Sequence, residues 1–193
     1  KIPTEDGDPI SYIGKTYLNT MAVYETDQSE IVKITNELKI STSKGHDDFL
    51  PKVINDTISE LAAPLSAIFN LSFTTGIFTD QLKVARVVPI YKSDNKTSVN
   101  NYRPISVLPF FSKILERIMY NRMLCFLNKG YTHVKNMCGL REKHSTSMAL
   151  LKLVDQITEE LNNKQFSIGI FIDLSKAFDT IDHSILIRKL QHY

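Results

Sequence analysis

The pattern of apolar and polar residues predicts a mixed fold of helices and a few strands. Residues 166–173 are apolar on both faces of an extended chain, which is typical of a central strand covered on both sides. Residues 83–91 and 101–108 are rich in Val, Ile and Tyr and flank a polar loop, which predicts an antiparallel strand pair. Pro89 favours an edge position or a bulge there, because proline donates no amide hydrogen bond. We therefore expect an α/β (α+β) fold class.

Capping residues divide the first half of the chain into helices. Asp27, with Glu30 three residues later, is predicted to cap a helix that ends near Lys39. Pro51 suits the first turn of the next helix, and Pro64 is expected to break or restart it. The residues expected to face inward are Ile31, Val32, Ile34, Leu38, Val53, Ile54, Ile58, Leu61, Leu65, Ile68, Phe69 and Leu71.

Three further helices are predicted after the strand pair. Ser145 is expected to cap a long helix, and residues 184–190 suggest a short last one that Asp179 or Asp182 could cap. The other predicted boundaries are a start at Pro109 and stops at Gly76 and Gly130. Helical spacing is kept by Ile114, Leu115, Ile118, Arg122, Met123, Phe126 and Leu127, and a core-facing side is predicted for Leu150, Leu151, Val154, Ile157 and Leu161.

Length and composition favour one globular domain. The chain has 193 residues, and no apolar run approaches the roughly 18 residues of a membrane span. The start, KIPTEDGD, does not resemble a signal peptide. Cys125 and Cys138 form no Cys-x-x-Cys pair, so we expect reduced thiols, no zinc site and an intracellular setting, with nucleus or cytoplasm undecided.

Charge is distributed unevenly along the chain. Residues 1–60 carry 6 basic and 11 acidic residues, a net charge of −5. Residues 83–143 carry 12 basic and 3 acidic residues, a net charge of +9. A segment of this kind indicates either a polyanionic partner or a solvated basic face, and the composition does not decide between them.

Asp173 lies where the predicted strand 166–173 ends. A carboxylate in that position needs a metal ion, a hydrogen-bond donor or water, so metal binding and capping are both open interpretations. Asp179 and Asp182 follow closely, with His183 beside the second. The pair Asp47 and Asp48 is expected to cap a helix.

Several long motifs resemble one protein family. Residues 171–183, FIDLSKAFDTIDH, resemble the first palm motif of reverse transcriptases of LINE-like (non-LTR), jockey-like retrotransposons. Residues 84–123 are similar to the fingers motif of that family, and residues 136–155 to the next one. The resemblance extends over about residues 19–193, although Lys143 stands where the family often has glycine. The paired aspartates that follow later in the family's palm do not occur here.

The resemblance implies a division of the chain into three parts. Residues 1–40 are expected to be a connector to the polymerase region. Residues 41–165 are expected to form helix-rich fingers with an antiparallel strand pair. Residues 166–193 are expected to begin a right-hand palm, which is truncated.

The resemblance also implies site residues. Asp173 is expected to be the catalytic carboxylate that holds Mg²⁺, with Mn²⁺ as the alternative ion. The nucleotide-binding residues that it implies are Lys92 and Arg103 for the triphosphate, Leu174, Ser175, Lys176 and Ala177 as a backbone cradle, and Phe178 as a gate against the ribose 2′-hydroxyl. Arg141 is expected near template or nucleotide. Lys113, Arg117 and Arg122 are expected to follow a nucleic-acid backbone or to form a solvated helix face.

The implied activity is RNA-directed DNA synthesis by two-metal nucleotidyl transfer. Its partners are an RNA template, a DNA primer and dNTPs, and no membrane is expected. The longer parent protein could also carry an endonuclease. These 193 residues alone are expected to be inactive. The alternative is a non-catalytic RNA-binding remnant. A phosphohydrolase with Asp173 as nucleophile is disfavoured, because Ser175 stands where such enzymes place a second aspartate.

Overall fold

The structure is a computed structural model that describes residues 21–129, 138–139, 144–174, 177 and 179–192. It divides into two units, Met21–Phe126 and a second unit that contains Leu127–Tyr193, and each is described by itself. Among the described residues, none of the helices combines the length and the apolarity that crossing a membrane requires.

The described elements are mostly helices. In chain order they are α1 (Gln28–Glu37), α2 (Pro51–Asp56), α3 (Ile58–Thr75), α4 (Asp80–Lys83), β1 (Arg86–Tyr91), a 3-10 turn (Val99–Asn101), β2 (Tyr102–Val107), α5 (Phe110–Lys129), α6 (Thr146–Asn162) and α7 (His183–His192). The two strands form one antiparallel sheet. The predicted α+β fold class and its antiparallel strand pair are confirmed.

The buried core lies in the first unit, where residues of α1, α2, α3 and α5 pack together. Its buried apolar residues are Ile31, Ile34, Ile54, Ile58, Ala62, Leu65, Phe69, Phe110, Ile114, Leu115 and Ile118. Three residues predicted to face inward are instead exposed, namely Val53, Ile68 and Leu71. They belong to the same helices but lie off the buried stripe, which is narrower than the apolar pattern suggests.

The predicted helix boundaries at Asp27, Ser145 and Gly76 are confirmed. The Asp27 carboxylate accepts a hydrogen bond from the Glu30 amide at 2.7 Å, at the start of α1. Ser145 accepts one from the Met148 amide at 3.3 Å, at the start of α6. Gly76 ends α3 with a φ of +69°, a left-handed conformation that glycine adopts without steric cost.

Pro64 does not break a helix as predicted, since it lies inside α3. The break falls at Thr57, whose hydroxyl donates to the Val53 carbonyl at 2.8 Å between α2 and α3. Proline removes the hydrogen bond to the carbonyl four residues earlier, that of Glu60. Glu60 is exposed, so water can replace the missing donor.

The predicted central strand at residues 166–173 is wrong. These residues are not in a strand, and Phe166, Ile168, Ile170 and Ile172 are 81–99% exposed. A strand exists only through hydrogen bonds to neighbouring strands, and in the described sheet β1 and β2 pair only with each other. The apolar pattern therefore shows that residues 166–173 are suited to a sheet, but it does not show that neighbouring strands are available.

The predicted core-facing side of α6 is also exposed. Its residues Leu150, Leu151, Val154, Ile157 and Leu161 are each at least 39% exposed. Helical spacing shows that the helix has an apolar side, but a second element must cover that side before it becomes core.

Candidate functional site

The strand pair brings two predicted site residues to one face. Ile90 pairs with Arg103 across the sheet, and Tyr91 pairs with Tyr102. One position further, the Lys92 amide donates to the Asn101 carbonyl at 2.8 Å and extends the ladder by one rung. Because side chains alternate between the faces of a strand, Lys92 lies on the same face as Ile90 and Arg103. The two cations are therefore diagonal neighbours.

Both cations of this face are exposed and available for a ligand. In the part of the chain that the structure describes, neither Lys92 nor Arg103 has a salt-bridge partner. Other basic residues of the +9 segment do have one, because Lys83 pairs with Asp80 at 2.7 Å and Arg86 with Asp48 at 3.0 Å. The uncompensated positive charge of the hairpin is thus concentrated near its tip.

The Asp48–Arg86 pair corrects the predicted role of Asp47 and Asp48. The residue at the N-cap of α2 is Leu50, which makes no side-chain cap, so neither aspartate caps that helix. Asp48 has a φ of +57° and reaches the base of the hairpin instead. Both partners are largely exposed, so this pair contributes at most about 1 kcal/mol.

Arg122 does not lie on a solvated helix face and has no access to a nucleic-acid backbone. Its side chain is 1% exposed and forms a fork with Glu30, with Nη2–Oε2 at 2.9 Å and Nη1–Oε1 at 3.1 Å. It also donates to the carbonyls of Tyr24 and Glu25. One sequence signal could have shown this, since Arg122 follows Ile118 by four residues and continues the buried stripe of α5.

Another part of the predicted site lies in residues 171–183, which we call the Asp173 segment. Asp173 and Ala177 are exposed, and Leu174 is 70% exposed. The Asp173 carboxylate accepts no hydrogen bond from the described residues. Other residues predicted for the site lie outside the described residues, namely Arg141, Ser175, Lys176 and Phe178.

Asp182 caps the last helix, as the sequence suggested. Its Oδ1 accepts hydrogen bonds from the Ser184 hydroxyl at 2.6 Å, the Ser184 amide at 2.8 Å and the Ile185 amide at 3.2 Å. These bonds, with that of the Ser184 hydroxyl first, hold the pKa of Asp182 below its ordinary value. This oxygen is committed to α7, whereas Asp173 and Asp179 are exposed and accept no hydrogen bond from the described residues.

The described residues contain no group of three or more His, Cys, Asp or Glu side chains that could hold a metal ion together. Asp173 lies in the second unit, whereas Lys92 and Arg103 lie in the first, and the two parts are described separately. That these three residues share one nucleotide-binding site stays a prediction.

The two tyrosines at the end of the ladder carried no predicted role. Tyr91 and Tyr102 pair across the strands, with ring centroids 5.7 Å apart, on the face opposite to Lys92 and Arg103. Their positions could have been found from the sequence, because Tyr91 ends the strand before the loop and Tyr102 begins the strand after it.

A protein-family model described as "Reverse transcriptase (RNA-dependent DNA polymerase)" matches residues 90–193. The matched range is more than half of the chain. It contains most of the hairpin, including Lys92 and Arg103, and the whole Asp173 segment.

Proteins of fly mobile elements are similar to nearly the whole chain. The chain is 28% identical over 179 residues to the RNA-directed DNA polymerase from mobile element jockey of Drosophila melanogaster. This match covers 92% of the chain and 20% of that protein. The chain is also 30% identical over 167 residues to the probable RNA-directed DNA polymerase from transposon BS of Drosophila melanogaster, covering 84% and 18%. The chain thus spans about a fifth of the length of these curated relatives.

Proposed function

This chain belongs to the reverse transcriptase family, and we propose that it forms the fingers and the beginning of the palm of an RNA-directed DNA polymerase of a non-LTR retrotransposon. One observation carries the proposal: the family match contains the two exposed cations of the hairpin, which have no salt-bridge partner among the described residues, and Asp173. The relatives named as RNA-directed DNA polymerases support the same reaction.

In this proposal Lys92 and Arg103 hold the triphosphate of the incoming nucleotide. Arginine presents a planar fork that matches two phosphate oxygens, and lysine adds a compact point charge. Their common face and their exposure suit a ligand that carries several negative charges. Arg141 is proposed to contact template or nucleotide.

Asp173 is the residue proposed to hold a divalent metal ion. Its exposed carboxylate, which no described donor engages, is a hard oxygen ligand of the kind that Mg²⁺ prefers, with Mn²⁺ as the alternative. When bound, the metal supplies positive charge to the phosphoryl group that is transferred. The proposal assigns the backbone of Leu174, Ser175, Lys176 and Ala177 to the phosphates and the ring of Phe178 to exclusion of a ribose 2′-hydroxyl.

The proposed partners are an RNA template, a DNA primer and dNTPs. Fusion to an endonuclease in a longer parent protein and an intracellular setting are part of the same proposal. The polypeptide of residues 1–193 supplies Asp173 but not the paired aspartates that the family resemblance expects later. We therefore expect no primer extension from this polypeptide alone, and primer extension by purified residues 1–193 would contradict that expectation.

Nucleotide binding tests the proposal without requiring catalysis. Titration of Mg²⁺–dATP into the isotope-labelled chain is expected to give saturable chemical-shift changes in the amides of β1, β2 and their loop. Lys92→Ala and Arg103→Ala should each weaken binding about threefold to tenfold, as expected for loss of an exposed contact to a charged group. Lys52→Ala, which removes an exposed lysine of α2, is the matched control and should leave binding unchanged. Absence of saturable binding, or an equal effect of Lys52→Ala, would refute the nucleotide-binding role.

The +9 segment favours a second candidate, a remnant that binds RNA without chemistry. Binding of a single-stranded RNA oligonucleotide should then weaken steeply with salt, because each phosphate contact releases counterions. RNA binding with a steep salt dependence, together with no Mg²⁺–dATP binding, would favour this candidate. A flat salt dependence would exclude its electrostatic basis.

A further inference from the structure

Two tyrosine side chains on one face of the hairpin fasten the loop at its tip. Tyr91 donates its hydroxyl hydrogen to the Asp94 carbonyl at 2.6 Å, and Tyr102 donates to the Lys96 carbonyl at 2.9 Å. The Lys96 ammonium lies 5.6 Å from the centroid of the Tyr91 ring. Both hydroxyls therefore reach from the last strand residues into the loop, on the face that does not carry Lys92 and Arg103.

Two asparagines complete the loop from within. The Asn95 side-chain oxygen accepts hydrogen bonds from the Thr97 amide at 3.0 Å and the Thr97 hydroxyl at 2.8 Å. The Asn101 side-chain amide donates to the Asn95 carbonyl at 2.8 Å. Asp94 has a φ of +71°, a conformation that a non-glycine residue keeps only where its surroundings hold it. The loop is thus built around carbonyls that side chains engage.

The position of Lys92 depends on this loop. Lys92 is the first residue after β1. The hydrogen bond from its amide to the Asn101 carbonyl continues the strand pairing, and this keeps its side chain on the face of Arg103. An exposed two-stranded hairpin is marginally stable and frays at its ends. If the loop opened, Lys92 would lose its rung and with it the orientation that places it beside Arg103.

We propose that Tyr91 and Tyr102 are positioning residues for the phosphate-binding face: their hydroxyls hold the tip loop so that Lys92 stays on the same side as Arg103. The inference rests on the proposed function, because a triphosphate is the ligand assigned to Lys92 and Arg103. The tyrosines touch no ligand themselves and act through Lys92.

A double-mutant cycle with inorganic tripolyphosphate as the probe tests this role. The variant Tyr91→Phe/Tyr102→Phe keeps both rings and removes both hydroxyl donors. It should weaken tripolyphosphate binding about threefold to tenfold, the range expected for losing modest hydrogen bonds. In a Lys92→Ala background the same change should cause no further weakening, because the tyrosines act only through Lys92. Tyr120→Phe, an exposed tyrosine of α5, is the matched control and should leave binding unchanged.

Hydrogen exchange gives a readout that needs no ligand. In the double tyrosine variant the Lys92 amide should exchange about threefold to tenfold faster than in the unmodified chain. Unchanged exchange of this amide would overturn the inference, as would equal weakening of tripolyphosphate binding with and without Lys92. If the unmodified chain binds no tripolyphosphate, the proposed function fails and this inference with it. If binding depends on Lys92 but not on the tyrosine hydroxyls, the inference alone fails.

Discussion

Arg122 and Glu30 form a partly buried ion pair that joins two elements far apart in the sequence. The guanidinium Nη2 lies 2.9 Å from Oε2 of Glu30, and the Arg122 side chain is 1% exposed. The same guanidinium stacks on the Tyr24 ring, 4.3 Å from its centroid. The segment before α1 is therefore fastened to α5, and it belongs to the packed unit that carries the hairpin.

Removal of Arg122 should strongly destabilise this unit. Arg122→Ala removes the cation that pairs with the Glu30 carboxylate and the donors to the carbonyls of Tyr24 and Glu25, and breaking a buried pair costs about 3–5 kcal/mol. Glu30 is 29% exposed, so water can recover part of this loss, and we expect about 3 kcal/mol. Urea denaturation measures the difference.

Arg117→Ala is the control for the Arg122 prediction, since Arg117 lies on the exposed side of the same helix. Its guanidinium lies 5.5 Å from the centroid of the Tyr120 ring, and its loss should cost less than about 1 kcal/mol. Similar losses from the two variants would show that burial of Arg122 does not matter.

The Glu30 carboxyl should make the first unit sensitive to acid. Burial raises its pKa, but hydrogen bonds from Arg122 and Thr26 outweigh that effect and leave the pKa below its ordinary value of 4.5. The folded state then binds fewer protons than the unfolded state near this pH. This contribution to stability is present above about pH 4.5 and is lost as the pH falls through the lowered pKa.

Glu30→Gln tests the acid sensitivity, because glutamine cannot titrate. The free energy of unfolding of this variant should change less between about pH 5 and pH 3 than that of the unmodified chain. Asp27 also has a lowered pKa, because it accepts a hydrogen bond from the Glu30 amide, so some acid sensitivity should remain. Identical pH profiles for the two proteins would rule out Glu30 as a source.

Local features that depend on neighbouring residues were predicted correctly from the sequence. The cap at Asp27, the stop at Gly76 and the strand pair all follow from a few adjacent side chains. Prediction failed where a distant residue decides the outcome. Arg122 was expected at a nucleic-acid backbone or on a solvated helix face, whereas its actual partner, Glu30, is 92 residues away in the sequence.

The same distinction explains the candidate site. The strand pair was predicted from two segments rich in Val, Ile and Tyr that flank a polar loop, whereas the register that puts Lys92 and Arg103 on one face was not predicted. The exposure of residues 166–173 was also not predicted. An apolar pattern shows that a segment can pack in a sheet, but it does not show whether neighbouring strands are there to cover it.

Gly76 should resist replacement for a reason of backbone conformation alone. A Cβ at this position would meet nothing within 4 Å, but the φ of +69° is unfavourable for alanine. Gly76→Ala should cost about 1–2 kcal/mol in thermal or urea unfolding, whereas Gly76→Asn should cost less, because asparagine tolerates this conformation. A larger loss from asparagine than from alanine would point to a steric cause instead.

The exposed segment 166–173 should be cut before the core is opened. Phe166 and Phe171 are 99% and 87% exposed, whereas Phe69 in α3 is 1% exposed. Limited chymotrypsin digestion should therefore cleave after Phe166 and Phe171 first, as mass spectrometry of the fragments can show. Initial cleavage after Phe69 would mean that the segment is protected in solution.

The central proposal is that Asp173 binds the metal ion of an incoming nucleotide, and that Lys92 and Arg103 bind its triphosphate. Its most direct test is titration of a Mn²⁺–dATP complex into the isotope-labelled chain, with paramagnetic broadening of the backbone amides as the readout. We predict that the amides flanking Lys92, Arg103 and Asp173 broaden first, that Asp173→Asn abolishes the broadening in its own segment, and that Asp179→Asn does not. Broadening at residues 171–174 that persists in Asp173→Asn, or broadening that spares the hairpin, would contradict the account.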